Sequence, residues 1–163
     1  METTIMRLVN HVLIVRQTIQ KLLEILNAPF HELGECIIVG EMNTARLHFD
    51  SFQGDLVGFE AFVNHFHLEG LYDDDATSSQ DRDLLIEIGR SIISIWNERL
   101  KPMLQGREAL IYLGGTDSIS IRLHLERDKT DNWVNLDDID FLQQEGISVF
   151  RATGNEIIQV FPR

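Results

Sequence analysis

Ile119, Ile121, Leu123 and Leu125 alternate with Ser120, Arg122 and His124 just after the stretch Gly114-Gly115-Thr116-Asp117. A two-residue period sets the four aliphatic side chains on one face of a β-strand and Arg122 and His124 on the other. Ala109 to Leu113 precedes the glycines, which tolerate the positive φ that a tight turn demands, so the two runs read as a hairpin. Any fold open to this chain must include that antiparallel ribbon and cover its apolar face.

Two long helical patterns are available for the task. From Thr4 to Leu26, Ile5, Leu8, Val9, Val12, Val15, Ile19, Leu22, Leu23 and Leu26 recur at three- and four-residue spacing, with Thr3 or Thr4 as cap and Asn27 and Pro29 as terminator. The stripe is wide enough to serve as core or as a homodimer surface. A second helix runs from Ser79 or Asp81 to about Leu104, burying Leu84, Leu85, Ile88, Ile92, Ile95, Trp96, Leu100 and Met103. Within it Gly89 is expected to cost about 1 kcal/mol relative to alanine, and Pro102 to distort the last turn.

The remaining segments are shorter. Cys36 to Val39 and Arg46 to Phe52 read as a hairpin with Asn43 in the turn. Leu56, Phe59, Phe62, Val63 and Phe66 suit a helix capped by Asp55, although the same run also fits a strand. Asn135 can cap a helix from Leu136 to Gln144 with Ile139 and Leu142 inward, and Ile147 to Arg151 pairs with Glu156 to Phe161. The pattern predicts an α+β fold: a largely antiparallel, hairpin-built sheet with two long helices and one or two short ones packed on it. With 163 residues, 44% of them hydrophobic, residues 1–163 are expected to form a single domain.

Charge narrows the function classes. Acids number 26 against 14 Lys and Arg, a formal net charge of −12 that opposes nucleic acid or an anionic membrane surface as partner. Residues 31–81 hold eleven acids against Arg46 alone, a net −10, so the field is directional and favours a basic protein partner. In residues 69–81, turn formers and adjacent like charges predict an exposed loop. There Glu69, Tyr72, Asp73, Asp74, Asp75 and Asp81 form a candidate docking surface, Tyr72 supplying contact area that carboxylates cannot. Trp133, between polar neighbours, is a further candidate contact. The Asp73–Asp75 run lacks the spacing and the glycine of a calcium loop.

Other chemistry is sparse. His65 and His67 fall on one side of a strand, and His48 or His124 nearby would complete three nitrogen ligands for a metal. Cys36, beside Glu35 and apolar neighbours, is expected to have a raised pKa and to be a poor nucleophile. Arg99, Lys101 and Arg107 suit the C-terminal end of the second helix. Gly114-Gly115-Thr116-Asp117-Ser118 lacks the lysine of a phosphate loop, and neither a nucleophile elbow nor a dinucleotide fingerprint occurs. The reading is therefore not an enzyme, with no cofactor. One cysteine, no signal-peptide pattern and no long apolar run predict a cytoplasmic location.

A small acidic domain with helices around hairpins and an acidic, aromatic loop (Glu69, Tyr72, Asp73, Asp74, Asp75) resembles, as a class, the immunity proteins of bacterial toxin systems. The helix-to-hairpin stretch from Trp96-Asn97-Glu98-Arg99-Leu100 through Arg107 to His124 is similar in style. The resemblance implies direct binding and neutralisation of a cognate toxin domain, often a basic nuclease. Two alternatives stand beside it: a small-molecule-binding or metal-dependent hydrolytic protein with a histidine-lined pocket, and an adaptor or chaperone for a secreted effector, which would leave its partner active.

Overall fold

The computed structural model describes residues 4–68, 71, 79–127 and 132–162, with side chains from residue 16 in the first helix and from 82 in the helix that begins at Ser79. In chain order the elements are α1 (Thr4–Asn27), β1 (Phe30–Leu33), β2 (Cys36–Val39), α2 (Met42–Phe49), a 3-10 turn (Asp50–Phe52), α3 (Leu56–Val63) and β3 (His65–His67). They continue with α4 (Ser79–Leu104), β4 (Glu108–Gly114), β5 (Ser120–Glu126), α5 (Ile139–Gln144), β6 (Ser148–Ala152) and β7 (Ile157–Phe161). The fold is α+β. One sheet has five antiparallel strands in the order β3-β5-β4-β6-β7, and β1 pairs with β2 as a separate two-stranded ribbon. No helix of the described residues is long and apolar enough to cross a membrane.

The hairpin read from the glycines is β4-β5, with Tyr112 opposite Arg122 and Gly114 opposite Ser120. Its aliphatic face, Ile111, Leu113, Ile121, Leu123 and Leu125, packs with Leu85, Ile92, Ile93, Trp96 and Leu100 of α4 and with Ile25 of α1 in the main core. Gly89 lets the two layers approach: a Cβ there would stand 2.4 Å from Leu113 Cδ1. Its role is thus steric, which the propensity argument misses. Of the apolar stripe of α1, Leu22, Ile25 and Leu26 face the core, whereas Ile19 and Leu23 are about half exposed.

Arg99 and Trp96 of α4 close the end of α1. Arg99 donates to the carbonyls of Leu26 and Ala28, and Trp96 Nε1 donates to Ile25 O at 3.3 Å. These are backbone acceptors that the helix end leaves without intrahelical partners. Arg107 does the same for α4, bonding Met103 O and Leu104 O.

Several local expectations are corrected. Arg46 to Phe52 is not a strand: α2 and a 3-10 turn occupy it, and β2 pairs instead with β1 across the turn at Gly34, which takes φ +58°. A five-residue alternation is too short to separate the two periods. Ala45 and Phe49, four apart, fit a helix whose inner side meets Phe59. β2 itself is buried on both faces, Ile37 and Val39 toward the main core and Cys36 and Ile38 toward α2 and α3, which accounts for its unbroken apolar run. The helical alternative for 56–63 holds, with Asp55 accepting from Gly58 N, and the chain then switches to β3. In α5, Asp138 is the cap, accepting from Phe141 N; Asn135 only bridges to Asp137 N, and Ile139 points outward, 52% exposed.

α3 also joins the two sheets. Glu60 Oε1 accepts from Ile37 N at 2.7 Å, and its Oε2 accepts from Leu125 N at 3.0 Å and from Arg127 at 2.6 Å. One turn on, Asn64 Oδ1 accepts from Val39 N at 2.7 Å, while its Nδ2 donates to Ile37 O and Leu123 O. Both side chains are fully buried. Burial pushes the Glu60 carboxyl upward in pKa, and Arg127 opposes that shift.

Candidate functional site

The second face of the five-stranded sheet carries the chemistry. Strand register lines up Val149, Tyr112, Arg122 and His65 in one row across β6, β4, β5 and β3, and Gly114, Ser120 and His67 in the next. Alternation along each strand points all of these side chains away from the main core. Because Gly114 and Ser120 are small, the second row leaves a depression. Trp133, Phe141, Glu145 and Ile147 stand around it, enclosing about 250 Å³.

Gly114 could not be larger. It takes φ +138°, and a Cβ would lie 2.1 Å from Gly146 O and 2.9 Å from Ile147 Cα, both backbone atoms. Gly114→Ala is expected to destabilise the protein by about 2–3 kcal/mol, from left-handed strain and overpacking together. Thermal unfolding followed by circular dichroism checks this; an unchanged midpoint would mean that the turn relaxes freely.

The walls are cross-linked. His124, fully buried, lies behind Tyr112: Tyr112 Oη meets His124 Nε2 at 3.0 Å, and the Trp133 amide reaches the same nitrogen at 3.4 Å. His124 Nδ1 faces Leu125 O at 2.9 Å, which assigns its proton to that nitrogen. Trp133 packs edge-on against Tyr112 and covers the Arg122 guanidinium, 4.5 Å from the ring centre. Arg122 Nη1 donates to Ala61 O, while His67 Nδ1 lies 2.6 Å from Ser118 Oγ.

The electrostatics follow from this packing. Burial, then Arg122, then His67 push His65 down to about 4, so its imidazole is neutral at neutral pH. Burial lowers Arg122 as well, and raises Tyr112 with help from Glu126. Cys36 is buried and pushed up to about 11, first by burial and then by Glu60, consistent with an unreactive thiol.

The residues singled out from sequence fall in different places. Glu69, Tyr72, Asp73, Asp74 and Asp75 lie outside the described residues, and so does the side chain of Asp81, whose backbone is in the first turn of α4. Leu68 and Leu71, beside Glu69 and Tyr72 in sequence, are buried, and Leu71 O accepts from Thr18 Oγ1 at 2.6 Å. Trp133 is 36% exposed at the cavity mouth. Of the histidines, His65 and His67 meet with ring centres 4.2 Å apart, but His124 is enclosed behind Tyr112 and His48 packs on Phe62. His48, His65 and His67 also border a groove of about 810 Å³ between α1, α2, α3 and β3. No group of three metal-ligating side chains converges among the described residues.

Tyr112 and Arg122 were not candidates from sequence. The alternation along 119–125 sets Arg122 off the apolar face, but its place opposite Tyr112 follows only from the register, in which residues 115–119 separate the paired Gly114 and Ser120.

No curated protein and no solved structure matches the chain. Residues 1–158 match the model of the family described as "Uncharacterized protein PM0498 family", and the chain belongs to that family.

Proposed function

We propose that this protein is an acidic protein-binding inhibitor of the immunity type, which neutralises a basic toxin domain by direct contact. The observation that carries the reading is the surface around Trp133. Phe141 and Ile139 of the neighbouring α5 are 42% and 52% exposed, beside the exposed carboxylates of Asp137, Asp138 and Asp140. An aromatic anchor ringed by charge is the composition of a binding hot spot, since the ring supplies desolvated area and the rim supplies steering. Tyr112 and His124 hold Trp133 in place before any partner arrives, which lowers the ordering cost of association. The acids of residues 31–81 add a long-range field of the same sign.

The test begins with a pull-down at low salt, followed by co-expression of each captured basic protein with this chain. Relief of the partner's toxicity is expected; a partner that stays fully active marks an adaptor instead. Trp133→Ala should weaken the complex by about 2 kcal/mol, roughly thirtyfold. Changing Asp73, Asp74 and Asp75 together to Asn should slow association more at low salt than at high. Unaltered binding by both variants would sink the reading.

A further inference from the structure

Arg122 is the unusual group on the second face of the sheet. The chain is strongly acidic, yet among the described residues this partly buried guanidinium makes no ion pair and one hydrogen bond, from Nη1 to Ala61 O. Arg127 pairs with Glu60, and Arg151 with Glu108 and Glu126. An arginine carries five donors in a planar fork, so Arg122 retains donor capacity within a depression where desolvation is costly. His65 lies in line with it on β3, and Ser120 sits on the floor with His67 beside it in the next row. The carboxylates at the rim are Asp117 and Glu145, and Thr116 Oγ1 donates to Glu145 at 2.9 Å. The opposite wall is apolar, made by Trp133, Tyr112, Phe141 and Ile147.

We infer that this cavity is a binding site for a small oxyanion-bearing molecule, its carboxylate or phosphate held by Arg122 beside His65 and its apolar or aromatic body lying against Trp133 and Tyr112. A planar fork matches either oxyanion through two parallel hydrogen bonds, and it does so best where water is excluded. The volume of about 250 Å³ sets the size, below the ~300–1,000 Å³ of sites for drug-sized ligands. Arg122 stacked under Trp133 is already oriented, so little is lost in ordering it. The neutral His65 gains a favourable partner for its protonated form once an anion is bound, which makes it a reporter of occupancy. The site shares Trp133 with the proposed partner surface but is assayed on the isolated chain, so its failure leaves the inhibitor reading standing.

The probes are benzoate and phenyl phosphate, with benzamide as the neutral counterpart, titrated by calorimetry and by NMR of the Trp133 indole N–H and the His65 ring proton. At least one anion is expected to bind saturably, to shift both signals and to move the His65 titration upward from about 4, while benzamide leaves them in place. If benzoate alone binds, the source is a carboxylate; if phenyl phosphate alone, a phosphate ester. Arg122→Gln should weaken binding at least about tenfold, the loss of a charge-assisted hydrogen bond. Ser120→Leu keeps Arg122 but fills the floor, so it should abolish binding even if the first variant folds poorly. Equal binding of benzamide, no saturable response to either anion, or an isotherm unchanged in Ser120→Leu would each overturn the inference.

Discussion

Replacing Glu60 with alanine is expected to lower stability by about 3–5 kcal/mol, the range for breaking a buried ion pair by removing one partner. Three donors converge on this carboxylate, from Ile37, Leu125 and Arg127. Alanine leaves the buried N–H groups of Ile37 and Leu125 without an acceptor, at about 1–3 kcal/mol each, and removes the carboxylate from beside the Arg127 guanidinium. Glutamine keeps the shape but has a single acceptor oxygen, and its amide hydrogens face other donors, so Glu60→Gln should lose about 2 kcal/mol rather than nothing. Asn64→Ala, which strips partners from Val39 N, Ile37 O and Leu123 O, belongs to the same range as Glu60→Gln or above. Urea unfolding of the three variants measures these losses, and a Glu60→Ala, Arg127→Ala cycle should show strong non-additivity. A loss below about 1 kcal/mol in Glu60→Ala would mean that water or another side chain takes over the carboxylate's role.

Trp96→Ala is expected to cost about 3–5 kcal/mol by a different route. The indole is fully buried, with Phe30 and Phe66 edge-on at 5.8 and 5.2 Å, and it anchors α1 through Ile25 O. Removing it opens a cavity where α4, β1, β3 and the end of α1 meet, so four elements lose contacts at once. Trp96→Phe should retain most of the packing and lose about 1 kcal/mol with the N–H bond. Comparable midpoints for the alanine variant and the parent protein in a denaturant titration would show that this junction collapses around the missing ring.

Elements whose cause is local were legible in the sequence. The β4-β5 hairpin and α4 each carry their period and their boundary residue within a few positions, whereas for α3 the Asp55 cap was readable but the apolar run fitted a strand as well. α2 and β1 were not, because their state depends on a distant edge. Phe30–Leu33 becomes a strand by pairing with β2, and that pairing leaves Arg46–Phe49 free to coil against Phe59. At α5, two acceptors three residues apart compete for the cap, and only tertiary placement selects Asp138 over Asn135. The candidate site divides the same way. That His65 and His67 share a face was readable from alternation, and the exposure of Trp133 from its polar neighbours. The stacking of Trp133 on Arg122 was not, since it needs the segment at 132–134 to cross back over β4 and β5.

The carboxylate and carboxamide of α3 have one more effect, on how the sheet can grow. Past its three pairs with β3, the outer edge of β5 would present backbone groups at Leu123 and Leu125 to any extended chain; Asn64 and Glu60 occupy those groups instead. The same two residues occupy the groups at Ile37 and Val39, so the margin between the ribbon and the large sheet is sealed by side chains where a sixth strand would otherwise lie. Self-association by strand addition, the common hazard of open sheet edges, is thereby blocked along this stretch of β5, beyond the end of β3. A peptide that lengthens the large sheet therefore has only its two end strands to join, the three-residue β3 or the longer β7, Ile157–Phe161.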